Sequence, residues 1–389
     1  MVERSRQIYL DYAATTPVDT AVAAEMIACL SVGGNYANPS SDHDVGLEAA
    51  AKVERAREQL AALLGANAKE ITFTSGATEA INMAMKGALA AYGGGSGHLI
   101  TSNIEHKAVL AVADWLESLG VEVSRLMSDK SGVVSVRQVS DALRDDTILV
   151  SLQWVNNEIG SIQPIAEIAE LLKTHTARFH VDGAQAVGKI PVSVGGIDYL
   201  SLSAHKFYGP KGVGALYCSA KPRARVTPVI HGAGQESGMR SGTIPVHQVA
   251  AMGAAAEIAA QRLDADQRHI RKLNRQLCDG LIELPKVTIN AAAANRVCNI
   301  VSASFEGVNG KALRLALRDL YLSSGSACSS ASAEPSFVLK ALGLTDSLAE
   351  ATLRFSLGRE TTRQDLEYAL ARTHYEVKRL RDIAGWAAR

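Results

Sequence analysis

The sequence predicts an α/β fold: a large domain built on a mainly parallel seven-stranded sheet with helices on both faces, followed by a smaller α+β C-terminal domain. Three observations carry this. Short apolar, β-branched runs recur seven times between residues 70 and 217, helical patterns fall between several of them, and from about residue 262 the pattern changes.

The strand-like runs are EITFTS (70–75), HLITSN (98–103), VEVSRL (121–126), TILVSL (147–152), RFHVD (178–182), YLSLS (199–203) and VGALY (213–217). Their β-branched content and short length suit buried strands. ATEAINMAMKGALAAY (77–92) and IAEIAELLKTH (165–175) read as helices between them. Strands alternating with helices pair in parallel, because each helix carries the chain back over the sheet. Beyond residue 262 come the charged helical stretch QRHIRKLNRQLCDGLIEL (267–284), strand-like runs around NIVSASF and LRFSLG, and a last helix. These are assigned to the second domain.

With 389 residues, 47% of them hydrophobic, the chain can bury a large core. Forty basic and forty acidic residues cancel, so no overall field draws it to nucleic acid or to an anionic membrane. The five cysteines are an odd number, widely spaced and without a CxxC pair, which argues against a disulfide framework or a zinc site. The N-terminus lacks an apolar signal region, and the greasiest run, VAAMGAAAEIAA (249–260), is too short to span a membrane and is interrupted by Glu257. A cytoplasmic protein is expected.

In an open parallel sheet, ligands bind beyond the carboxyl ends of the strands. After the first run comes SGATE, where Ser75, Gly76, Ala77 and Thr78 open a helix whose N-terminal N–H groups suit a phosphate. His106 follows the second run, Asn156, Asn157 and Glu158 the fourth, and Asp182 and Gln185 the fifth. The sixth ends in SAHKFYGPKG, setting Ser203, His205 and Lys206 side by side. Any one of these reads as a helix cap or a solvated side chain, but the set is poorly explained that way. A phosphate cradle, a carboxylate, an imidazole and a lysine are what pyridoxal phosphate requires: a clamp, a partner for the ring nitrogen, a stacking face and a covalent tether. A last feature stands apart. Cys328 lies in SSGSACSSASAEPS (323–336), a stretch too poor in apolar residues to pack, so it is either an incidental thiol on a linker or one kept for its reactivity.

The chain resembles the group I cysteine desulfurases, fold type I pyridoxal-phosphate enzymes of the aminotransferase class V superfamily. The match is collinear through YLDYAATTP, NPSS, FTSGATE, EHKAVL, VNNEIG, VDGAQAVGK, SAHKFYGPKG, GMRSGT, SSGSACSSASAEPSFVLKALG and LRFSLGR. The resemblance implies that Lys206 tethers the cofactor, that Asp182 pairs with the ring nitrogen, and that His106 stacks on the ring and moves protons. It gives Asn157 and Gln185 the ring oxygen, and Ala77, Thr78, Ser203 and His205 the phosphate, with Thr243 reaching the phosphate of the other subunit of a homodimer. Arg354, Asn157 and Asn38 would hold the substrate. Cys328 would take the sulfur of L-cysteine as a persulfide, leaving L-alanine, and pass it to a protein acceptor serving iron–sulfur assembly, tRNA thiolation or DNA phosphorothioation. No metal is implied. The expected division is a cofactor domain over 18–262 and a small domain of 1–17 with 263–389. HGAGQE (231–236) departs from the family pattern at His231 and Ala233. Selenocysteine lyases and aminotransferases of the same class have no comparable need for a nucleophilic loop cysteine.

Overall fold

The computed structural model describes residues 7–93, 96–221, 224–324 and 334–386. A short strand, β1 (Ile8–Tyr9), comes first. Each of the seven runs then forms a strand: β2 (Ile71–Thr74), β3 (His98–Ser102), β4 (Glu122–Leu126), β5 (Thr147–Gln153), β6 (Arg178–Asp182), β7 (Tyr199–Ser203) and β8 (Gly214–Cys218). They form one sheet in the order β2-β8-β7-β6-β5-β3-β4. Pairing is parallel from β7 through β6, β5 and β3 to β4. Only β8 runs against its neighbours β7 and β2. The link from β7 to β8 is shorter than the dozen or more residues that a parallel crossover needs, so it returns the chain antiparallel.

The strands β2, β3, β5 and β7 are buried at every position, as a sheet covered on both faces requires. The expected helices form over Ala77–Tyr92 and Ile165–Leu172, the second stopping three residues short of its predicted end. Its apolar face, Ile165, Ile168, Ala169 and Leu172, is buried against the sheet, whereas the polar residues beyond Leu172 have nothing to cover.

The remaining strands are β9 (Val287–Ile289), β10 (Ile300–Phe305), β11 (Leu320–Tyr321) and β12 (Thr352–Ser356). β12, β10 and β9 make an antiparallel sheet, and β1 pairs in parallel with β11, so the start of the chain joins its C-terminal part. A single helix of 37 residues, Val246–Ile282, runs between the two cores. Its first half, from Val246 to Ala259, is buried with the seven-stranded sheet. There Gly253 lies so close to the helix Asp44–Leu64 that a Cβ would stand 2.5 Å from Ala56 Cα. Its second half buries Ile270, Leu273, Leu277 and Leu281 with Val301, Phe305, Leu353 and Phe355 of β10 and β12. Among the described residues no helix is long and apolar enough to cross a membrane.

Candidate active site

Because β2, β7, β6, β5 and β3 lie near one another in the sheet, the residues that follow them meet at one end of it. They line a cavity of about 490 Å³, closed by Arg354 of β12 and by Ala13 and Ala14 of the segment after β1. That volume suits a small-molecule cofactor with its substrate.

After β2 the chain turns through Gly76 at φ +155°, a conformation that side chains rarely allow. The turn is tight against β8: a Cβ on Gly214 would stand 2.6 Å from Gly76 Cα. The helix Ala77–Tyr92 then begins without a side-chain cap. Its first N–H groups, at Ala77 and Thr78, therefore stand at the cavity wall at the positive end of the helix. Ser203, buried at the end of β7, lines the same part of the wall; its Oγ is 3.7 Å from where a Gly76 Cβ would stand.

His106 does cap a helix, as the plain reading held. Its Nδ1 accepts from the Ala108 N–H at 3.1 Å, which places the proton of a neutral ring on Nε2. In the turn after β5 the two asparagines divide the work. Asn156 builds the turn, accepting from the N–H groups of Glu158 and Ile159 at 2.8 and 3.0 Å. Asn157 lines the cavity, and its carbonyl accepts from Arg354 Nη1 at 2.8 Å.

Asp182 is 6% exposed, and its Oδ1 accepts from the Ala184 N–H at 3.0 Å. Burial pushes its carboxyl above the ordinary carboxylate range, opposed by the charges of His106 and Lys206. A cation brought to Asp182 would relieve that cost. Lys206 reaches back to the start of the chain, its Nζ donating to the carbonyls of Ala13 and Ala14 at 2.9 and 2.7 Å. Beside it, burial followed by the charges of Lys206, Lys211 and Lys189 pushes His205 down to about 4, so the imidazole is neutral at pH 7. Its Nδ1 lies 3.1 Å from Thr15 Oγ1.

Ten of the thirteen residues named from sequence thus meet at one cavity. Thr243 does not. It lines a separate cavity of about 160 Å³ with Glu236 and Arg240. Asn38 is exposed, its Oδ1 accepting from the Ser40 N–H at 3.0 Å. Cys328 lies outside the described residues. Four participants escaped the sequence reading. The carbonyls of Ala13 and Ala14 carry no side-chain signal, Lys189 passed as the end of VGK, and Glu105 was overshadowed by His106 in EHK. Glu105 is 1% exposed, lines the cavity and accepts from Ser102 Oγ at 2.5 Å. Burial, with the charge of Asp182 adding to it, pushes it up to about 8. Of the two neighbouring carboxyls, Glu105 keeps its proton at pH 7.

The residues present fit pyridoxal phosphate. A buried carboxyl lacks full compensation by its neighbours, an uncapped helix start offers N–H groups to a phosphate, and an amine lines the same cavity.

Residues 8–369 match the aminotransferase class-V family. A cysteine desulfurase IscS from Aeromonas salmonicida (strain A449) is 50% identical over 380 residues, which span 97% of this chain and 94% of that protein. Among solved structures, a NifS-like protein superposes with a TM-score of 0.89 at 36% identity, covering 96% of this chain and 100% of that one. A structure described as SspA in complex with cysteine superposes with a TM-score of 0.82 at 38% identity, covering 91% and 100%.

Proposed function

The chain belongs to the aminotransferase class-V family and, within it, to the pyridoxal-phosphate-dependent cysteine desulfurases, and we propose that it performs their reaction with Lys206, Asp182, His106, Arg354 and Cys328. The observation that carries this assignment is the meeting of Lys206, Asp182 and Arg354 on one cavity. The chemistry supplied by the bound cofactor is an aldehyde that condenses with amines and a ring that takes up negative charge from the substrate Cα.

Lys206 is the tether. Its amine is held by two carbonyls, and once displaced by the substrate amine it serves to carry the proton at Cα. Asp182 holds the positive ring nitrogen, and Glu105, by keeping its own proton, adds no second negative charge beside it. His106 stacks on the ring. Gln185 and Asn157 take the ring oxygen, while Ala77, Thr78, Ser203 and His205 take the phosphate, with Thr243 contributing from the other subunit of a homodimer. Arg354, whose Nη1 and Nη2 are already oriented by Asn157 and Asp11, receives the substrate carboxylate, with Asn38 contributing.

The Cys328 thiolate then attacks the sulfur of L-cysteine. A sulfur–sulfur bond forms as the substrate's carbon–sulfur bond breaks; the electron pair left on Cβ takes one proton, and return of a proton to Cα completes L-alanine. The enzyme thiol becomes a persulfide for a protein acceptor of the iron–sulfur, tRNA-thiolation or DNA-phosphorothioation kind. We place this chemistry in the cytoplasm, with the cofactor domain at 18–262 and the small domain at 1–17 and 263–389.

Cys328→Ser tests the reading. The variant should bind cofactor and L-cysteine with spectra like those of the wild type, yet release no L-alanine, because a serine hydroxyl stays protonated and oxygen attacks sulfur poorly. Alanine formation at the wild-type rate would instead favour a lyase or an aminotransferase.

A further inference from the structure

Lys189 sits at the end of VGK, four residues after Gln185, and neither a cap nor a surface ion pair accounts for it. Its Nζ contacts Gln185 Oε1. Gln185 is itself buried, and its Nε2 donates to the Ala13 carbonyl at 2.8 Å. That same carbonyl accepts from Lys206 Nζ at 2.9 Å. The four groups form a chain from Lys189 through Gln185 and Ala13 to Lys206, and Lys189 and Lys206 border one small cavity.

The direction of this chain is set by chemistry. An amine can donate an N–H in either protonation state, and a carbonyl oxygen can only accept. The Gln185 amide therefore has one satisfactory orientation, Oε1 toward Lys189 and Nε2 toward Ala13. Nε2 has two N–H groups and Ala13 uses one. The other is left for the main cavity that Gln185 lines. The Ala13 carbonyl already favours this orientation, and Lys189 reinforces it by donating to the other end of the amide.

We propose that Lys189 is a positioning residue for the cofactor: by taking Gln185 Oε1 it keeps the amide turned so that an N–H, and not an oxygen, meets the anionic ring oxygen of pyridoxal phosphate. This rests on Gln185 being the ligand of that oxygen. The charges acting on Lys189, those of Lys206 and Arg354, repel it and so do not account for its place. The groups facing it are Lys206 from the turn after β7 and Arg354 of β12, both cations, with Tyr12, Tyr208, Asp266 of the long helix and Cys298 around the small cavity. Burial together with Lys206 and Arg354 holds its ammonium well below the usual lysine range, a cost that a merely solvated lysine would not bear. Asp182, His205 and Lys189 itself are the titratable groups that feel the charge of Lys206.

A donor on the ring oxygen stabilises its negative charge and so lowers the pH at which the neighbouring protonated nitrogen of the tethered cofactor loses its proton. The test is the pH midpoint of the visible absorption band of the cofactor-loaded protein, measured without substrate for Lys189→Met, Lys189→Arg, Gln185→Ala and the Lys189→Met/Gln185→Ala double variant. Lys189→Met should raise the midpoint by roughly one unit, and Lys189→Arg, which restores a donor, should return it toward wild type. The double variant should match Gln185→Ala alone, because Lys189 acts only through the amide. If Lys189→Met does not fold, Lys189→Ala takes its place in the same comparison. A midpoint unmoved in Gln185→Ala removes the underlying assignment of Gln185. A shift in Gln185→Ala with none in Lys189→Met, or a double variant displaced well beyond Gln185→Ala, overturns the role of Lys189 and leaves that of Gln185 standing.

Discussion

Arg354 of β12 donates from Nη2 to Asp11 Oδ1 at 2.6 Å, joining residues 343 positions apart. The guanidinium is 2% exposed, so Asp11 and the Asn157 carbonyl together fix its plane before any ligand arrives. Such a preset fork suits a carboxylate, which it can meet through two charge-assisted hydrogen bonds.

Arg354→Ala should therefore lower kcat/KM for L-cysteine by a factor corresponding to about 2 to 4 kcal/mol, with cofactor binding much less affected. Steady-state kinetics beside a cofactor titration separate the two. Arg354→Lys should recover little, since an ammonium cannot hold Asp11, Asn157 and a carboxylate in one plane. An unchanged kcat/KM in the alanine variant would remove Arg354 from substrate binding.

Glu105 predicts an unusual pH dependence. Its folded pKa, about 8, lies above the ordinary value of 4.5, so over that interval the folded state binds the proton and the unfolded state does not. Stability from this group is full below about pH 4.5 and is lost as pH rises toward 8. Glu105→Gln keeps the shape and cannot titrate. Its stability relative to wild type, read from urea unfolding of the cofactor-free protein, should improve by roughly 3 kcal/mol between pH 5 and pH 8. Parallel curves for the two proteins would show that Glu105 ionises normally.

His180 has the opposite sign. In the middle of the sheet its ring lies 2.8 Å from Ser151 Oγ and 2.9 Å from Ser201 Oγ, bridging β5, β6 and β7, and burial pushes it down to about 3. The unfolded chain takes up a proton below about pH 6.5 while the folded ring stays neutral, so stability is lost as pH falls from there toward 3. His180→Gln should flatten that acid limb, at a cost of about 1 to 3 kcal/mol at pH 7 from imperfect pairing of the two serines. A variant that loses stability in acid as steeply as wild type would mean another group sets the limb.

The sheet was legible in the sequence because each strand is a compact β-branched run buried on both faces, and such runs stand out against alanine-rich helices. Much of the site was legible for a related reason: in a parallel sheet, following β3, β5, β6 and β7 in sequence also means standing at the same end in space. The long helix was less so. Its first half reads as an alanine-rich run and its second as a charged amphipathic one, because each serves a different core, and the join is invisible without the packing. The pairing of β1 with β11 brings Ala13 and Ala14 to Lys206 across almost two hundred residues. No local pattern encodes a contact made by main-chain carbonyls. Thr243 and Asn38 rest on the family resemblance alone, and neither lines the cavity of the single chain.

Lys206→Ala carries the most weight of these substitutions, because it separates the tether from everything that surrounds it. The phosphate wall at Ala77 and Thr78, Asp182 and Arg354 are untouched, so the variant should still take up pyridoxal phosphate, now without a covalent bond. Structural damage should be small: Ala13 O keeps its bond from Gln185 Nε2 at 2.8 Å, and loss of the partner for Ala14 O costs about 1 kcal/mol. Of the other amines, Lys189 is engaged by Gln185, while Lys107 and Lys211 line the same cavity and are the alternatives to exclude. Borohydride reduction followed by peptide mass spectrometry should find the cofactor on residue 206 of the wild type and on no lysine of the variant. Turnover of L-cysteine should fall by roughly 100-fold or more, because the group that moves the Cα proton is gone as well. Cofactor fixed by reduction to Lys189 or Lys211 in the wild type would identify a different tether, and wild-type turnover in Lys206→Ala would deny it any part in the reaction.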